Sequence, residues 1–204
     1  MFSSSSFFVT KDFMAITPSS MLPLGTKAPY FKLPDTDGRV VSRDDFADKP
    51  LLVMFICNHC PFVKHVRNEL ANIGKEFLPN GVGIVAINSN DAERFPNDSP
   101  ERMKSEVIEA GYPFPYLFDE SQAVAKAFHA ACTPDFFLFN KEHKLVYRGQ
   151  LDDSRPKSDI PVTGKSLRTA LIAILEGESA PKEQIPSIGC GIKWKSGNEP
   201  SFTY

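Results

Sequence analysis

The sequence predicts an α/β fold, a central mixed β-sheet flanked by helices, and three observations carry that expectation. Leu51-Leu52-Val53-Met54-Phe55-Ile56 is apolar at every position, as a strand covered on both faces has to be. Val82 to Ile87 has the same character. Between them Phe62, Val66, Leu70, Ile73 and Phe77 recur at spacings of 4, 4, 3 and 4, which marks one face of a helix. Strand, helix and strand make a βαβ unit, for which a right-handed crossover is the rule.

The remaining elements follow in chain order. Pro34 to Val41 reads as an N-terminal β-hairpin, because Asp37-Gly38 tolerates the positive φ of a tight turn. Asn88 to Tyr116 is rich in Asn, Asp and Pro and holds one helix near Pro100–Ala110, stopped by Gly111. Tyr116-Leu117-Phe118 is a short strand, and Ser121 to Phe128 a short helix with Ser121 as its cap. Asp135 to Phe139 and Lys144 to Arg148 flank a polar turn and form an antiparallel hairpin. Leu167, Ala170, Leu171, Ile174 and Leu175 line a last amphipathic helix, ended by Gly177.

At 204 residues the chain suffices for one well-packed domain. A net charge of −2 gives no basic excess to drive binding to nucleic acid or to an anionic membrane. The longest purely apolar run, Leu51 to Cys57, is far short of a membrane span. Residues 1–23 read as a flexible leader: no basic charge precedes Lys11, and Phe7-Phe8-Val9 is too short for the apolar core of a secretory signal. The domain proper is expected over 24–178, with a Pro- and Gly-rich tail, 179–204, packed on it. The cytoplasm is the expected compartment, where four cysteines are not structural staples.

The informative motif is Ile56-Cys57-Asn58-His59-Cys60-Pro61. Two thiols three apart follow a buried strand and open a helix. A turn there brings the sulfurs within disulfide reach. Unpaired N–H groups and the helix dipole stabilise a thiolate, expected on the first cysteine. The second then resolves a mixed disulfide. Either Cys60 caps the helix with Pro61 at its first position, or the helix starts at Cys57 and Pro61 bends its first turn. Both leave Cys57 exposed and Cys60 more covered. His59 lies between the thiols, either favouring the charged sulfur or facing solvent without a partner. A zinc half-site is the alternative; its other ligands would come from His65, His129, Cys132 or Cys190, without a second C-x-x-C or H-x₃₋₅-H.

With these residues in view the chain resembles the thioredoxin superfamily, and within it the redoxin branch of AhpC/TSA-like proteins and membrane-anchored thiol–disulfide reductases. The resemblance covers about residues 24–178. It rests on Lys27-Ala28-Pro29-Tyr30-Phe31-Lys32-Leu33 leading into Asp37-Gly38, on the strand followed by C-N-H-C-P, on Gly81 to Asn88, and on Cys132-Thr133-Pro134 before a strand. It implies a cis peptide at Pro134, with the backbone of Thr133 offered to an incoming extended chain. Two positions depart from the pattern. Leu51 stands where thioredoxins carry a buried Asp, so the proton of Cys60 must use water or another carboxylate. Met54 stands where peroxiredoxins carry a peroxide-binding Thr.

The expected activity is therefore thiol–disulfide exchange, with Cys57 as nucleophile, Cys60 resolving and His59 assisting, and Thr133 and Pro134 binding substrate. A redoxin-type thiol peroxidase and a redox-regulated binding module without turnover are the alternatives. Neither a cofactor nor a metal is called for. The expected partners are protein or small-molecule disulfides and thiols and an electron donor, with the protein a monomer. Cys132 and Cys190 are candidate auxiliary thiols. Cys190, between two glycines in a tail that carries the single Trp, either exchanges with the pair or is a buried apolar cysteine.

Overall fold

The structure, a computed structural model, describes residues 16–201. Its centre is a five-stranded sheet in the order β6-β5-β4-β8-β9, formed by β4 (Leu51–Phe55), β5 (Gly83–Asn88), β6 (Tyr116–Phe118), β8 (Asp135–Phe139) and β9 (Leu145–Gly149). β4 runs parallel to β5, and β5 to β6; β8 is antiparallel to both β4 and β9. The sheet is mixed, as the run of apolar strands and the C-terminal hairpin together predict.

β4 lies at the middle, and all five of its residues are fully buried. Leu52 and Met54 pack on the side of α1 (Pro61–Phe77), with Val66, Leu70 and Ile73. Leu51, Val53 and Phe55 face the other side, among Phe128, Phe137 and Phe139. Phe128 meets Phe55, Phe137 and Phe139 edge-on at centroid distances of 5.4, 5.7 and 6.0 Å. Such pairs add about 0.5–1.5 kcal/mol each beyond their buried area. Phe77, Phe114 and Phe136 lie on the opposite, α1 side of the sheet, so phenylalanine fills both layers.

The peripheral elements lie close to their expected places. β2 (Lys32–Pro34) and β3 (Val40–Ser42) form the hairpin. α2 (Pro100–Ala110) ends at Gly111 in the left-handed conformation, φ 66°, where a residue with a Cβ is disfavoured. α4 is Lys165–Leu175. α3 (Ala123–Ala127) departs at its cap. The cap is Gln122, at φ 62°, and Ser121 Oγ accepts the Ala123 N–H at 3.2 Å and donates to Asp119 Oδ1 at 3.3 Å. The side chain of Gln122 is committed elsewhere, donating to the carbonyls of Ser89 and Lys193 at 2.7 and 2.9 Å.

A second sheet has the order β1-β10-β7. It consists of β1 (Ile16–Pro18), β7 (Cys132–Thr133) and β10 (Ile188–Gly191). This corrects the reading of 1–23 as a leader without structure. Residues 1–15 lie outside the described residues, but Ile16–Pro18 pair with β10 in register. The Ser19 N–H donates to the Ser187 carbonyl at 2.8 Å, and Leu22 is buried on the Phe128 side of the central sheet. Residues 16–18 acquire structure because the tail strand presents them an edge, a partner distant in sequence that local periodicity cannot reveal. Among the described residues, no helix is long and apolar enough to cross a membrane.

Candidate active site

β4 ends at Phe55, and the chain turns through Cys57-Asn58-His59 into α1. Cys60 is the N-cap, in extended conformation (φ −66°, ψ 124°), and Pro61 occupies the first helical position. There its missing N–H leaves no acceptor unserved. The first of the two capping alternatives is the one realised. The loop is pinned from below: the Tyr116 hydroxyl donates to Asn58 Oδ1 at 3.0 Å, and Asn58 Nδ2 donates to the Asn97 carbonyl at 2.9 Å.

Opposite the two thiols stands Thr133, joined to Pro134 by a cis peptide bond. Cys57 Sγ lies 3.2 Å from Thr133 Oγ1, and Cys60 Sγ lies 3.2 Å from the Thr133 carbonyl oxygen. The structure therefore brings together Cys57, Cys60, Thr133 and Pro134. Cys190 joins them from β10, its Sγ 2.8 Å from that of Cys60. Cys132 is buried on β7, with its sulfur 3.6 Å from the Pro134 carbonyl.

Two expectations are corrected here. Cys57 was expected to be exposed, yet it is 1% accessible, beside Cys60 at 0% and Cys190 at 2%. The tail lies against the second thiol, with Cys190 Sγ 2.8 Å from Cys60 Sγ. β10 lies antiparallel on β7 with Cys190 opposite Thr133 and Gly191 opposite Cys132, on the backbone edge that the resemblance reserves for an incoming chain. The lowered thiol was expected to be the first cysteine, and it is the second. Burial pushes the Cys57 thiol up, and the Asp98 charge adds to that. Cys60 is held far below its ordinary value by hydrogen bonds from Cys190 and Cys57, with the Val63 N–H contributing. Since the helix begins at Pro61, its unpaired N–H groups converge on Cys60 and not on Cys57.

His59 has a partner, which excludes the solvent-facing reading. Its Nδ1 is 2.6 Å from Asp98 Oδ2, and its ring stacks on Phe95 at 5.5 Å with 7° between the planes. Asp98 is fully buried and is the hub of the loop. It accepts the Asn58 N–H at 2.8 Å through Oδ1, and Asn90 Nδ2 at 2.8 Å through Oδ2. Asp98 stands beside Cys57 and His59, and sequence reasoning, which asked for a carboxylate to serve Cys60, did not single it out. Asp98 sits in Pro96-Asn97-Asp98-Ser99-Pro100, where nothing periodic distinguishes it from a solvated turn residue; the one signal is its place ahead of a Ser-Pro helix start.

Cys57, His59 and Asp98 each offer one donor atom, all within 4.8 Å of one another. Among the described residues this is the group of three that could hold a metal ion, and it differs from the half-site completion considered from sequence. His65 is engaged elsewhere, its Nε2 2.7 Å from Ser154 Oγ. A metal at Cys57 would have to break the His59–Asp98 bond already made, so the donor set suits proton handling beside a thiol better than a closed metal cage.

Asp135, the first residue of β8, is also buried, and its Oδ1 has no hydrogen-bond partner among the described residues. Oδ2 accepts the Ala131 N–H at 3.3 Å. Burial raises its pKa to about 7. The folded protein thus keeps a proton that the unfolded chain surrenders near 3.8. The stability this group contributes is full below that value and is lost as pH rises through about 7. Asp135→Asn is expected to flatten the decline, which has a limiting slope of about 1.4 kcal/mol per pH unit. Urea unfolding of both proteins between pH 4 and 8 checks it; parallel curves would refute the assignment.

Comparison with known proteins agrees with this geometry. The AhpC/TSA family model matches residues 24–148. Thiol-disulfide oxidoreductase ResA of Bacillus subtilis (strain 168) is 32% identical over 122 residues, which is 60% of this chain and 64% of that protein; the match therefore spans less than two thirds of that relative. The crystal structure of an uncharacterized conserved protein from Geobacillus kaustophilus is 59% identical, with a TM-score of 0.87 over 89% of this chain and 97% of that one. The thioredoxin domain of a thiol-disulfide oxidoreductase from Bacteroides vulgatus, at 22% identity, has a TM-score of 0.54 over 62% of this chain and 88% of that one, and it shares the fold.

Proposed function

The chain belongs to the AhpC/TSA family and has its thioredoxin-like fold, and on that premise we propose that it is a thiol–disulfide oxidoreductase working through Cys57 and Cys60. The observation that carries the reading is the placement of both sulfurs against Thr133, at 3.2 Å each, where a C-x-x-C pair meets an edge that binds an extended strand, here β10.

Cys57, buried and with its thiol pushed up, is first uncovered and gives up its proton; it then attacks a substrate disulfide, forming a mixed disulfide and expelling one substrate thiolate, which takes up that proton. Cys60 then attacks the Cys57 sulfur and expels the second substrate thiol. The substrate disulfide is reduced to two thiols, and the enzyme is left with a Cys57–Cys60 disulfide. An incoming dithiol reverses the enzyme's half of the cycle. Cys60 is suited to the resolving step, since its charge is stabilised before any substrate arrives. Protein and small-molecule disulfides are the substrate class.

A peroxidase reading is less well supported. Met54, three residues before Cys57, is fully buried against the α1 side of the sheet, so no hydroxyl approaches the first thiol from that position.

Reduction of insulin disulfides with dithiothreitol as donor, run beside peroxide consumption, tests the proposal. Wild-type protein is expected to accelerate the first and not the second, and Cys57→Ser to return the insulin reaction to its uncatalysed rate. Unchanged insulin turnover in Cys57→Ser would refute it.

A further inference from the structure

β10 does more than lie against Cys60. It lies where a bound extended substrate would lie, antiparallel to the residue before Pro134, and it places a cysteine at the paired position, Cys190 opposite Thr133. The fit is close along the strand. A Cβ built on Gly189 would fall inside the van der Waals shell of the Thr133 carbonyl, with the Pro134 nitrogen also in contact. Ser187 Oγ donates to the Pro134 carbonyl at 2.6 Å. The Ile192 N–H donates to the Ala131 carbonyl at 3.1 Å.

The tail is secured on both sides of β10. Before it, Gln184 Nε2 donates to the carbonyls of Val146 and Pro181 at 3.0 and 2.7 Å. After it, the Lys195 N–H donates to Gln122 Oε1 at 2.9 Å, and the Lys193 N–H to Asn90 Oδ1 at 2.9 Å. Cys190 is thus delivered to Cys60 by a docked strand and not by a loose tail. The two sulfurs, 2.8 Å apart, stand closer to one another than ordinary nonbonded contact and beyond the roughly 2.05 Å of a disulfide.

We propose that Cys190 is a third exchanging thiol of this site, and that β10 is a tethered substrate-like strand which takes the disulfide from Cys57 onto itself. The proposal rests on the exchange reading above and extends it. Once Cys57 and Cys60 are joined, the Cys190 thiolate attacks the Cys60 sulfur. The Cys60–Cys190 bond forms, the Cys57–Cys60 bond breaks, and Cys57 leaves as a thiolate that takes up the proton Cys190 lost. One disulfide replaces another, so no further oxidant is consumed. The product fastens β10 to the helix start and returns Cys57 to the thiol form. An incoming dithiol reduces the new bond and frees the strand.

The full chain is equilibrated in buffers of oxidised and reduced dithiothreitol at graded ratios, quenched in acid, alkylated and mapped by peptide mass. The Cys57–Cys60 bond lies within one tryptic peptide, whereas a bond to Cys190 links two. Expected is the two-peptide link in more than about a tenth of oxidised chains, persisting in Cys57→Ser and vanishing in Cys60→Ser. A link below that level in wild-type protein, or one that survives in Cys60→Ser, overturns the proposal. If Cys57–Cys60 alone forms and insulin is still reduced, the exchange reading stands without Cys190. If no disulfide forms and insulin is not reduced, both fall.

Discussion

Gly189→Ala is expected to raise the alkylation rate of Cys57 at neutral pH by about a hundredfold. Alanine at this position has no room, because the groups in its way are the Thr133 carbonyl and the Pro134 nitrogen, backbone atoms that cannot rotate aside. β10 then cannot hold its register on β7, and the packing around the three sulfurs loosens. In wild-type protein, reagent reaches Cys57 only through local opening. An opening free energy of about 3 kcal/mol, ordinary for a short strand at the end of a chain, suppresses the rate by roughly two orders of magnitude. Ile188→Ala is the control, since that side chain is 37% exposed on the same strand and its loss leaves the docking geometry intact. Iodoacetamide kinetics, with the labelled cysteine identified by mass, measure the effect. Equal rates in Gly189→Ala and wild-type protein would show that the strand does not gate the site. Circular dichroism separates undocking from unfolding, because β10 is not a strand of the central sheet.

The same strand marks the boundary of what the sequence discloses. The central sheet is legible because β4 and β5 are apolar on both faces and α1 repeats its apolar residues at helical spacing. The C-x-x-C pair is legible because its function fixes its spacing. The pairing of β10 with both β1 and β7 leaves no such trace. Ser187-Ile188-Gly189-Cys190-Gly191 has two glycines and no alternation, and its conformation comes from the edge it fills. The placing of the stabilised thiolate on Cys60 follows from the contact with Cys190 on that strand and from the helix starting at Pro61, and the burial of Cys57 follows from the packing of the folded chain around it. Neither is a local property. Asp98 was hidden for a related reason: its three donors come from residues 58, 59 and 90, which only the folded chain gathers.

Asp98→Ala is expected to cost on the order of 3 kcal/mol of stability and to change the chemistry of Cys57 as well. The carboxylate is fully buried and accepts from the Asn58 N–H, Asn90 Nδ2 and the His59 ring. Removing it strands three donors, and each buried polar group left unpaired costs about 1–3 kcal/mol. The melting temperature should fall by about 6–12 °C for a domain of this size. His59→Ala removes only one of the three interactions and should cost distinctly less, since Asp98 keeps its bonds to Asn58 and Asn90. The chemical effect is read from pH. The Asp98 charge helps to hold the Cys57 thiol above its ordinary value, so its loss should move the pH profile of Cys57 alkylation to lower pH. Comparison within the Gly189→Ala background removes the difference in access, leaving electrostatics as the variable. A melting temperature within a degree or two of wild type would show that water replaces the carboxylate at no cost. An unmoved pH profile beside a lowered melting temperature would confine Asp98 to holding the loop, with no bearing on the thiol.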